Sequence, residues 1–237
     1  MEFIKDVPVS VVMPCYNEDA VIEKVVRAWH DEVISRIDGS EMIVIDDCSR
    51  DNTHNILERL KSEFPGLRVL KTVVNSGHGK AMRLGYESSV KEYVFQVDSD
   101  NQFEAGEFWK LYALKDSYDF ILGFRKKRQD SITRLILTRI IRFMNLLLFR
   151  VWIKDVNCPF RLIKREILCE LLKGVDKEAL APNIMISILA RRRKIKMAEI
   201  LVAHHQRKTG VVSIANLRLF KFALKGFKQL MAMKRCF

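Results

Sequence analysis

Residues 93–102 read Tyr-Val-Phe-Gln-Val-Asp-Ser-Asp-Asn-Gln. Five strand-forming residues are followed by five polar ones, so the segment predicts a buried strand that ends in a loop at Asp98. Asp98 and Asp100 are carboxylates two positions apart, and they repel each other unless a cation lies between them. Hard divalent ions such as Mg²⁺ take oxygen ligands of this kind, and the Gln102 amide adds another oxygen. By itself the pair is a weak indication, because paired acids are common on surface loops.

Two earlier segments share this pattern of a short apolar strand followed by polar residues. Residues 7–13 lead into Pro14-Cys-Tyr16-Asn-Glu, and residues 42–45 lead into Asp46-Asp47. Helical patterns separate the strands, which favours a mostly parallel α/β sheet covered by helices on both faces. Ligands of such sheets bind beyond the carboxyl ends of the strands, so we expect the polar residues to meet in one crevice. The predicted order is strand 7–13, helix 19–37, strand 42–45, helix 53–64, strand 67–74, helix 80–90, strand 93–97, helix 104–114 and strand 119–123.

Composition narrows the class of protein. The chain has 237 residues, of which 49% are hydrophobic, and five cysteines. This amount of apolar material predicts one folded α/β domain over residues 1–237 and excludes a disordered chain or a disulfide scaffold. The cysteines form no C-x-x-C pair, which favours a reducing compartment. We expect no leader segment and no membrane span.

Charge is distributed unevenly along the chain. The formal net charge is +12, yet residues 1–124 contain 14 basic and 22 acidic side chains. Residues 191–237 contain 13 basic side chains and one acidic one. A strongly basic half indicates a polyanionic partner, such as nucleic acid, anionic lipid or a phosphorylated ligand.

Two segments of the basic half have an apolar face beside a basic face. Residues 131–153 are rich in Leu, Ile and Phe but include arginines at 134, 139, 142 and 150. Residues 214–235 place Leu, Phe and Met at helical spacing next to a stripe of Arg and Lys. These patterns predict amphipathic helices that lie in a membrane interface. The alternative is that both helices cap the core and their charges are solvated.

Four motifs in a fixed order carry a family resemblance. They are Pro14-Cys-Tyr-Asn-Glu18, Val44-Ile-Asp-Asp-Cys-Ser49 with Asp51-Asn-Thr53, Asn75-Ser-Gly-His-Gly-Lys-Ala81, and Asp98-Ser-Asp-Asn-Gln102. Together they resemble family 2 of the glycosyltransferases, whose nucleotide-sugar-binding fold is called GT-A. The match covers nearly all of residues 7–165.

The resemblance implies roles for individual residues. The implied donor-binding set is Pro14, Tyr16, Asn17, Glu18, Asp46, Asp47, Lys80, Asp98, Ser99, Arg125 and Arg207. The implied metal ligands are Asp98, Asp100 and Gln102, holding Mg²⁺ or Mn²⁺. The residues alone also allow that Tyr16 only packs, that Asp46 caps the following turn, and that residues 75–80 form an ordinary turn.

Three later motifs look like the polyprenyl-phosphate branch of this family, similar to dolichol-phosphate mannose synthases. They are Gly123-Phe-Arg125, Asp155-Val-Asn-Cys-Pro-Phe-Arg161, and residues 205–213, which read His-Gln-Arg-Lys-Thr-Gly-Val-Val-Ser. The implied acceptor-phosphate residues are Arg139, Arg161, Arg207 and Ser213, and the implied catalytic residues are Asp100, Arg125 and Asp155. The last motif has one residue more before Ser213 than the branch usually shows. For Arg161 and Arg207, a surface charge or a structural salt bridge is the alternative.

We therefore predict a metal-dependent, inverting transfer of a sugar from a nucleotide diphosphate to a polyprenyl phosphate. The enzyme would lie peripherally on the cytoplasmic face of an anionic membrane, without a nucleic-acid partner. One alternative is a soluble family 2 transferase that acts on a saccharide hydroxyl with Asp155 as base. Another is a non-catalytic protein that binds membranes or nucleic acid. The sequence leaves open the sugar, the base, the polyprenol and the oligomeric state.

Overall fold

A seven-stranded sheet forms the centre of the protein. The computed structural model describes residues 7–125, 146–206, 225–226 and 228–233. The strands, in the spatial order β3-β2-β1-β4-β6-β5-β7, are β1 (Val9–Cys15), β2 (Glu41–Asp46), β3 (Leu67–Lys71), β4 (Tyr93–Gln96), β5 (Phe120–Arg125), β6 (Arg161–Lys164) and β7 (Met197–Val202). The helices are α1 (Ile22–Glu32), α2 (Thr53–Glu63), α3 (His78–Ser88), α4 (Phe108–Tyr112), α5 (Arg165–Lys173) and α6 (Pro182–Arg192), with 3-10 turns at Ile34–Arg36 and Ala105–Glu107. The predicted α/β class is confirmed.

Parallel pairing brings the ends of three strands together. β1 pairs with β2 on one side and β4 on the other, both in parallel, with Cys15 opposite Asp46 and Val12 opposite Gln96. All residues of these three strands are buried, as expected for parallel strands covered on both faces. The polar loops that follow them therefore lie at one edge of the sheet.

β6 is the antiparallel element of this sheet, and the sequence did not predict it. It lies between β4 and β5, with Arg161 opposite both Gln96 and Leu122. An antiparallel strand begins at the edge where its neighbours end, so the segment before Arg161 reaches the same edge as the loop after β4. β7 runs parallel to β5, which places Val202 opposite Arg125 at that edge as well.

Two neighbouring residues of β4 contact helices on opposite faces of the sheet. Phe95 packs against Trp29 of α1 with ring centroids 5.3 Å apart, whereas Gln96 bonds to Tyr86 of α3. Because successive side chains of a strand point to opposite faces, α1 and α3 cover opposite faces of the sheet. The α1 side holds an aromatic cluster of Trp29, Phe95, Phe103, Phe108 and Phe160.

α3 approaches the sheet closely at Gly85. An added Cβ there would lie 2.3 Å from Val12 Cγ1 and 2.6 Å from Ile45 Cδ1. The absence of a side chain therefore sets the distance between α3 and strands β1 and β2. This helix begins at His78, beside the edge where the polar loops meet.

Several predicted boundaries differ from the structure by one or more residues, and two of the differences show contacts that the sequence did not predict. The strand predicted over 67–74 ends at Lys71, and the Asp47 side chain binds Thr72 and Ser76 in the loop that follows. The helix predicted over 19–37 is α1 followed by a separate 3-10 turn. Its first residue, Ile22, donates its N–H to the Glu18 carbonyl at 2.8 Å, so the loop after β1 leads directly into α1.

The predicted amphipathic helices lie mostly outside the described residues. Residues 146–149 are helical, and this helix ends before Arg150, which has φ +54°. Residues 228–233 are helical too, with Leu230 and Met233 buried against the domain and Lys228 exposed. Within the described part of the chain, no helix is both long enough and apolar enough to span a membrane.

We expect Gly85→Ala to lower the free energy of unfolding by about 1–3 kcal/mol, because the added methyl overpacks the interface between α3 and the sheet. Gly106→Ala is the matched control, since its Cβ would meet only Glu32 Oε1 at 3.9 Å. Urea unfolding of both variants measures the difference. Equal stability of the two would show that α3 can move away from the sheet without cost.

Candidate active site

The loop after β1 is bonded to the loop after β2. Asn17 donates its N–H to Ser49 Oγ at 3.0 Å and accepts from the Arg50 N–H at 2.8 Å. Glu18, which is buried, donates its N–H to Thr53 Oγ1 at 2.9 Å. Pro14 lies within β1 and Tyr16 is half-buried after its end. Most of the residues predicted to contact the base and ribose therefore belong to one connected pair of loops.

Asp47 organises the next loop. Its Oδ1 accepts from Thr72 Oγ1, from the Ser76 N–H and from Ser76 Oγ, and its Oδ2 accepts from the Gly77 N–H at 2.7 Å. Gly77 directly precedes α3. Its φ of +86° is a backbone conformation that favours glycine. The Asp47 carboxylate therefore shapes residues 72–77, and its contact with the donor stays a prediction.

Asp46 is fully buried, and only one of its two carboxylate oxygens accepts a hydrogen bond. Its Oδ1 accepts from the Ser49 N–H at 2.9 Å, as in the turn-capping alternative. Its Oδ2 lies 3.2 Å from His54 Nδ1, close enough for an ion pair, yet neither atom has a partner with hydrogen-bond geometry. A buried acceptor of this kind is costly unless something donates to it. His54 Nδ1 is the nearest group that could donate to Asp46 Oδ2, and the Asp46 side chain has no exposed surface.

The predicted metal ligands follow β4 in a short loop. Asp98 is partly exposed, Ser99 is buried, and Gln102 donates its N–H to Asp100 Oδ1 at 3.3 Å. Asn101 has φ +56°, and Asn17 and Cys48 likewise have positive φ after β1 and β2. Non-glycine residues in this conformation concentrate at functional sites. Each of the three loops at this edge contains one.

A later segment of the chain closes over this loop. Gln102 exchanges two hydrogen bonds with His205: its carbonyl accepts from the His205 N–H at 2.9 Å and its side-chain amide donates to the His205 carbonyl at 3.0 Å. His205 Nε2 lies 2.9 Å from Glu104 Oε1. The chain that follows β7 is thus bonded at His205 to the Asp98–Gln102 loop, which is called the metal loop below.

The donor set suits a hard cation that shares its coordination with a substrate. No group of three His, Cys, Asp or Glu side chains close enough to hold a metal occurs among the residues that the structure describes. Asp98 and Asp100 supply two carboxylates, and Gln102 supplies an amide oxygen. Mg²⁺ is commonly held by one or two carboxylates together with substrate phosphates and water. The arrangement therefore fits a metal that binds with a diphosphate and does not fit a closed protein cage.

Electrostatics at this edge also favour a cation. Burial, and then the nearby carboxylates of Asp46 and Glu18, raise the pKa of the Cys15 thiol well above its ordinary range. A thiol surrounded by negative charge stays protonated at neutral pH. The same negative potential attracts a divalent ion.

His78 and Lys80, at the start of α3, contact different carboxylates. Lys80, a predicted donor contact, is exposed and its Nζ pairs with Glu178 Oε2 at 2.6 Å. His78 was not predicted, but its Nε2 lies 3.9 Å from Asp98 Oδ1. His78 is therefore the residue of α3 that the structure places beside the predicted metal loop.

Arg125 and Asp155 form a buried pair. Arg125 Nε donates to Asp155 Oδ2 at 2.7 Å and Nη2 donates to Oδ1 at 3.1 Å. Both side chains are at most 9% exposed. The sequence predicted each residue separately and did not predict the pair. Since Arg125 engages both carboxylate oxygens, Asp155 has to break this pair before it can act as a base.

Arg161 is a structural residue, so its prediction as an acceptor-phosphate contact is wrong. The side chain is fully buried, and its guanidinium donates to the carbonyls of Val156, Cys158 and Asn183 and to Ser187 Oγ. These bonds fix the segment before β6 against α6. The alternative of a surface charge or salt bridge is not what the structure shows either, because the partners are carbonyls and a hydroxyl inside the core.

The remaining predicted residues, Arg139, Arg207 and Ser213, lie outside the described residues. The sequence analysis gave no individual role to five other contributors, of which Ser49, Thr53 and Ser76 lie in its motifs and His54 and Thr72 do not. They are ordinary polar residues, and only their position next to Asp46, Asp47 or Glu18 gives them a role.

The model of the family described as "Glycosyl transferase family 2" matches residues 10–172, more than half of the chain. The chain belongs to glycosyl transferase family 2. The family resemblance predicted from the four motifs is thereby confirmed.

Curated relatives have similar sequences. An undecaprenyl-phosphate 4-deoxy-4-formamido-L-arabinose transferase of Shewanella sediminis is 29% identical over 205 residues, covering 85% of this chain and 60% of the relative. The Salmonella choleraesuis protein of that name is 29% identical over 217 residues, covering 89% of this chain and 64% of the relative. The chain spans less than two thirds of the length of these family 2 relatives.

Solved structures share the fold. Glucosyl-3-phosphoglycerate synthase from Mycobacterium tuberculosis, in complex with Mn²⁺, UDP and phosphoglyceric acid, has a TM-score of 0.71 at 18% identity and covers 96% of this chain and 78% of that one. S. aureus TarS has a TM-score of 0.61 at 18% identity, covering 84% and 60% of the two chains. The predicted GT-A fold of this family 2 member is confirmed.

Changing Asp46 or Asp47 to Asn should have different effects on stability and on nucleotide binding. Asp47→Asn presents an NH₂ to the Gly77 N–H and should cost about 1.5–3 kcal/mol of unfolding free energy. Asp46→Asn keeps the Ser49 bond and should cost less than about 1 kcal/mol, but should weaken binding of UDP or GDP at least about tenfold. Thermal unfolding and isothermal titration measure both quantities. Unchanged nucleotide affinity in a folded Asp46→Asn protein would contradict the assignment of Asp46.

Proposed function

We propose that this chain transfers a sugar from a nucleotide diphosphate to a polyprenyl phosphate, with Mg²⁺ or Mn²⁺, at a membrane surface. The observation that carries the proposal is the convergence of Asp46, the Asp98–Gln102 loop and the Arg125–Asp155 pair at one edge of a GT-A sheet. The names of the relatives, which act on undecaprenyl phosphate, support the acceptor class.

The donor would lie across the ends of β1, β2 and β4. Asp46 would contact the base or the ribose on the strength of the resemblance, once His54 moves away from its Oδ2. The related solved structure binds UDP with Mn²⁺, which supports a nucleotide at this edge. Asp98, Asp100 and the Gln102 amide oxygen would hold the metal, which neutralises the charge of the departing diphosphate when it is bound.

The acceptor needs little activation. A phosphate monoester is already anionic near neutral pH, so it attacks without a general base and the protein has only to align it with the anomeric carbon. One direct displacement inverts that centre. Because Arg125 binds both carboxylate oxygens of Asp155, direct attack is favoured over the alternative in which Asp155 acts as base. The pair would instead present a fixed guanidinium near the phosphates.

Arg207 would add a second cation to the phosphates. It lies two residues after His205, which is bonded to the Gln102 loop. Arg139 and Ser213 remain proposed acceptor contacts on the strength of the resemblance alone. Arg161 takes no part in this proposal except through the fold.

The membrane contact would use apolar side chains next to the basic segments. Leu147 and Trp152 are 63% and 56% exposed, just after the arginine-rich stretch. Exposed apolar side chains beside basic ones fit the interface of an anionic membrane, where each Lys or Arg adds about 1 kcal/mol of attraction. We propose the cytoplasmic leaflet as the surface, because it carries the anionic lipids.

The acceptor distinguishes the proposed reaction from its alternative. With UDP- and GDP-sugars as donors, the purified protein should glycosylate undecaprenyl or dolichyl phosphate and should leave the free polyprenol unmodified. The reason is that only the phosphate supplies an anionic oxygen in the absence of a base. Transfer to a free polyprenol or a saccharide hydroxyl at a comparable rate would favour the soluble transferase with Asp155 as base.

Membrane binding can be separated from stability. We expect the double variant Leu147→Ser/Trp152→Ser to co-sediment less with anionic vesicles at any salt concentration, with an unchanged melting temperature. Phe149→Ser is the contrasting variant, because Phe149 is 2% exposed and its truncation should cost about 3–5 kcal/mol of stability. Wild-type vesicle binding by the double variant would show that these side chains are not in the interface.

A further inference from the structure

Gln96 is a buried amide in an otherwise apolar part of β4. It is the last residue of that strand, is fully buried, and lies two positions before Asp98. A buried side-chain amide destabilises the fold unless hydrogen bonds satisfy both of its ends. Its partners therefore show what the residue does.

Two side chains from the helical layer hold the amide oxygen. Asn183 Nδ2 of α6 donates to Gln96 Oε1 at 2.8 Å, and the Tyr86 hydroxyl of α3 lies 3.1 Å from the same oxygen. The hydroxyl is also 2.9 Å from Asn183 Oδ1, so its single proton serves one of two acceptors at a time. If the Gln96 amide were reversed, its NH₂ would face the NH₂ of Asn183. The surrounding side chains therefore allow one orientation of the amide.

In that orientation the amide nitrogen faces the metal loop. Gln96 Nε2 donates to Asp98 Oδ1 at 3.4 Å, and His78 Nε2 lies 3.9 Å from the same oxygen. Among the residues that the structure describes, no partner is seen for Asp98 Oδ2. One oxygen of this carboxylate thus accepts a long hydrogen bond from inside the core, on the side away from the other oxygen's open position.

The residue that contacts Gln96 is held through its backbone. The backbone carbonyl of Asn183 accepts from Arg161 Nη1 at 3.1 Å and from Ser187 Oγ at 2.8 Å. Asn183, Ser187 and Arg161 are all buried. A chain of buried polar groups therefore runs from β6 and α6 through Gln96 to the first carboxylate of the metal loop.

We propose that Gln96 is a positioning residue that orients Asp98 for the metal, and that Asn183 in turn orients Gln96. The inference rests on the proposed metal-dependent binding of a nucleotide diphosphate. Side chains that orient a metal ligand commonly contribute about ten- to a hundredfold to metal affinity when they are removed. A purely structural amide would affect the stability of the fold and leave metal affinity unchanged.

The test is a titration of Mn²⁺ against the melting temperature of the wild-type and variant proteins in saturating UDP or GDP. Gln96→Met keeps the length of the side chain and removes the donor to Asp98. We expect the half-saturating Mn²⁺ concentration to rise about ten- to a hundredfold. Asn183→Leu leaves Gln96 free to turn, so it should shift the titration in the same direction by a smaller factor.

Tyr93→Phe is the matched control on the same strand. Its buried hydroxyl donates to the Lys115 carbonyl at 2.9 Å, at the opposite end of β4 from Asp98. This variant should melt at a lower temperature with an unchanged Mn²⁺ titration. An unchanged titration for folded Gln96→Met would overturn the inference, and Asn183→Leu decides in the same way if Gln96→Met does not fold. If the wild-type protein shows no Mn²⁺-dependent stabilisation at all, it is the proposed function that fails.

Discussion

Mutual repulsion of carboxylates at the carboxyl edge of the sheet is the constraint on which the site depends. Parallel pairing of β1, β2 and β4 brings their ends together, and each end is followed by acidic residues. The acids gathered there are Glu18, Asp46, Asp47, Asp98 and Asp100. A fold that collects so many like charges must neutralise each of them or hold a cation among them.

The carboxylates at this edge have different partners. Asp47 is satisfied by backbone and hydroxyl donors of residues 72–77, and so becomes part of the scaffold. Asp155, which enters the edge with the segment before β6, is neutralised by Arg125. Asp46 keeps one buried oxygen without a hydrogen bond, and Asp98 is held through one oxygen by Gln96. In the proposed function, the oxygen of Asp98 that Gln96 does not contact would bind the cation.

The parts that the sequence analysis predicted well are those encoded locally. Strands β1, β2 and β4 are short apolar runs that end in polar residues, so both the strands and their convergence could be predicted from residues close in sequence. The contacts that the sequence analysis did not predict join residues that are far apart in the chain. Asp47 is bound by residues 25–30 positions away, and nothing in its own motif indicates this.

Arg161 and Gln96 also make contacts that could not be predicted from residues close to them in sequence. The motif around Arg161 predicts a phosphate contact, but Arg161 begins the central strand β6 and its side chain is bonded inside the core to α6. Gln96 reads as a strand residue among apolar neighbours, and its contact with Asn183 joins residues 87 positions apart. Only the packed structure shows that the two belong to one polar network.

The central claim is that a divalent cation and a nucleoside diphosphate bind together at the Asp98–Gln102 loop. Equilibrium dialysis of Mn²⁺ with and without UDP or GDP tests it most directly. We expect about one Mn²⁺ per chain in the presence of the nucleotide, little without it, and loss of this binding in Asp100→Ala. Mn²⁺ uptake that is independent of the nucleotide, or that survives in Asp100→Ala, would contradict the account.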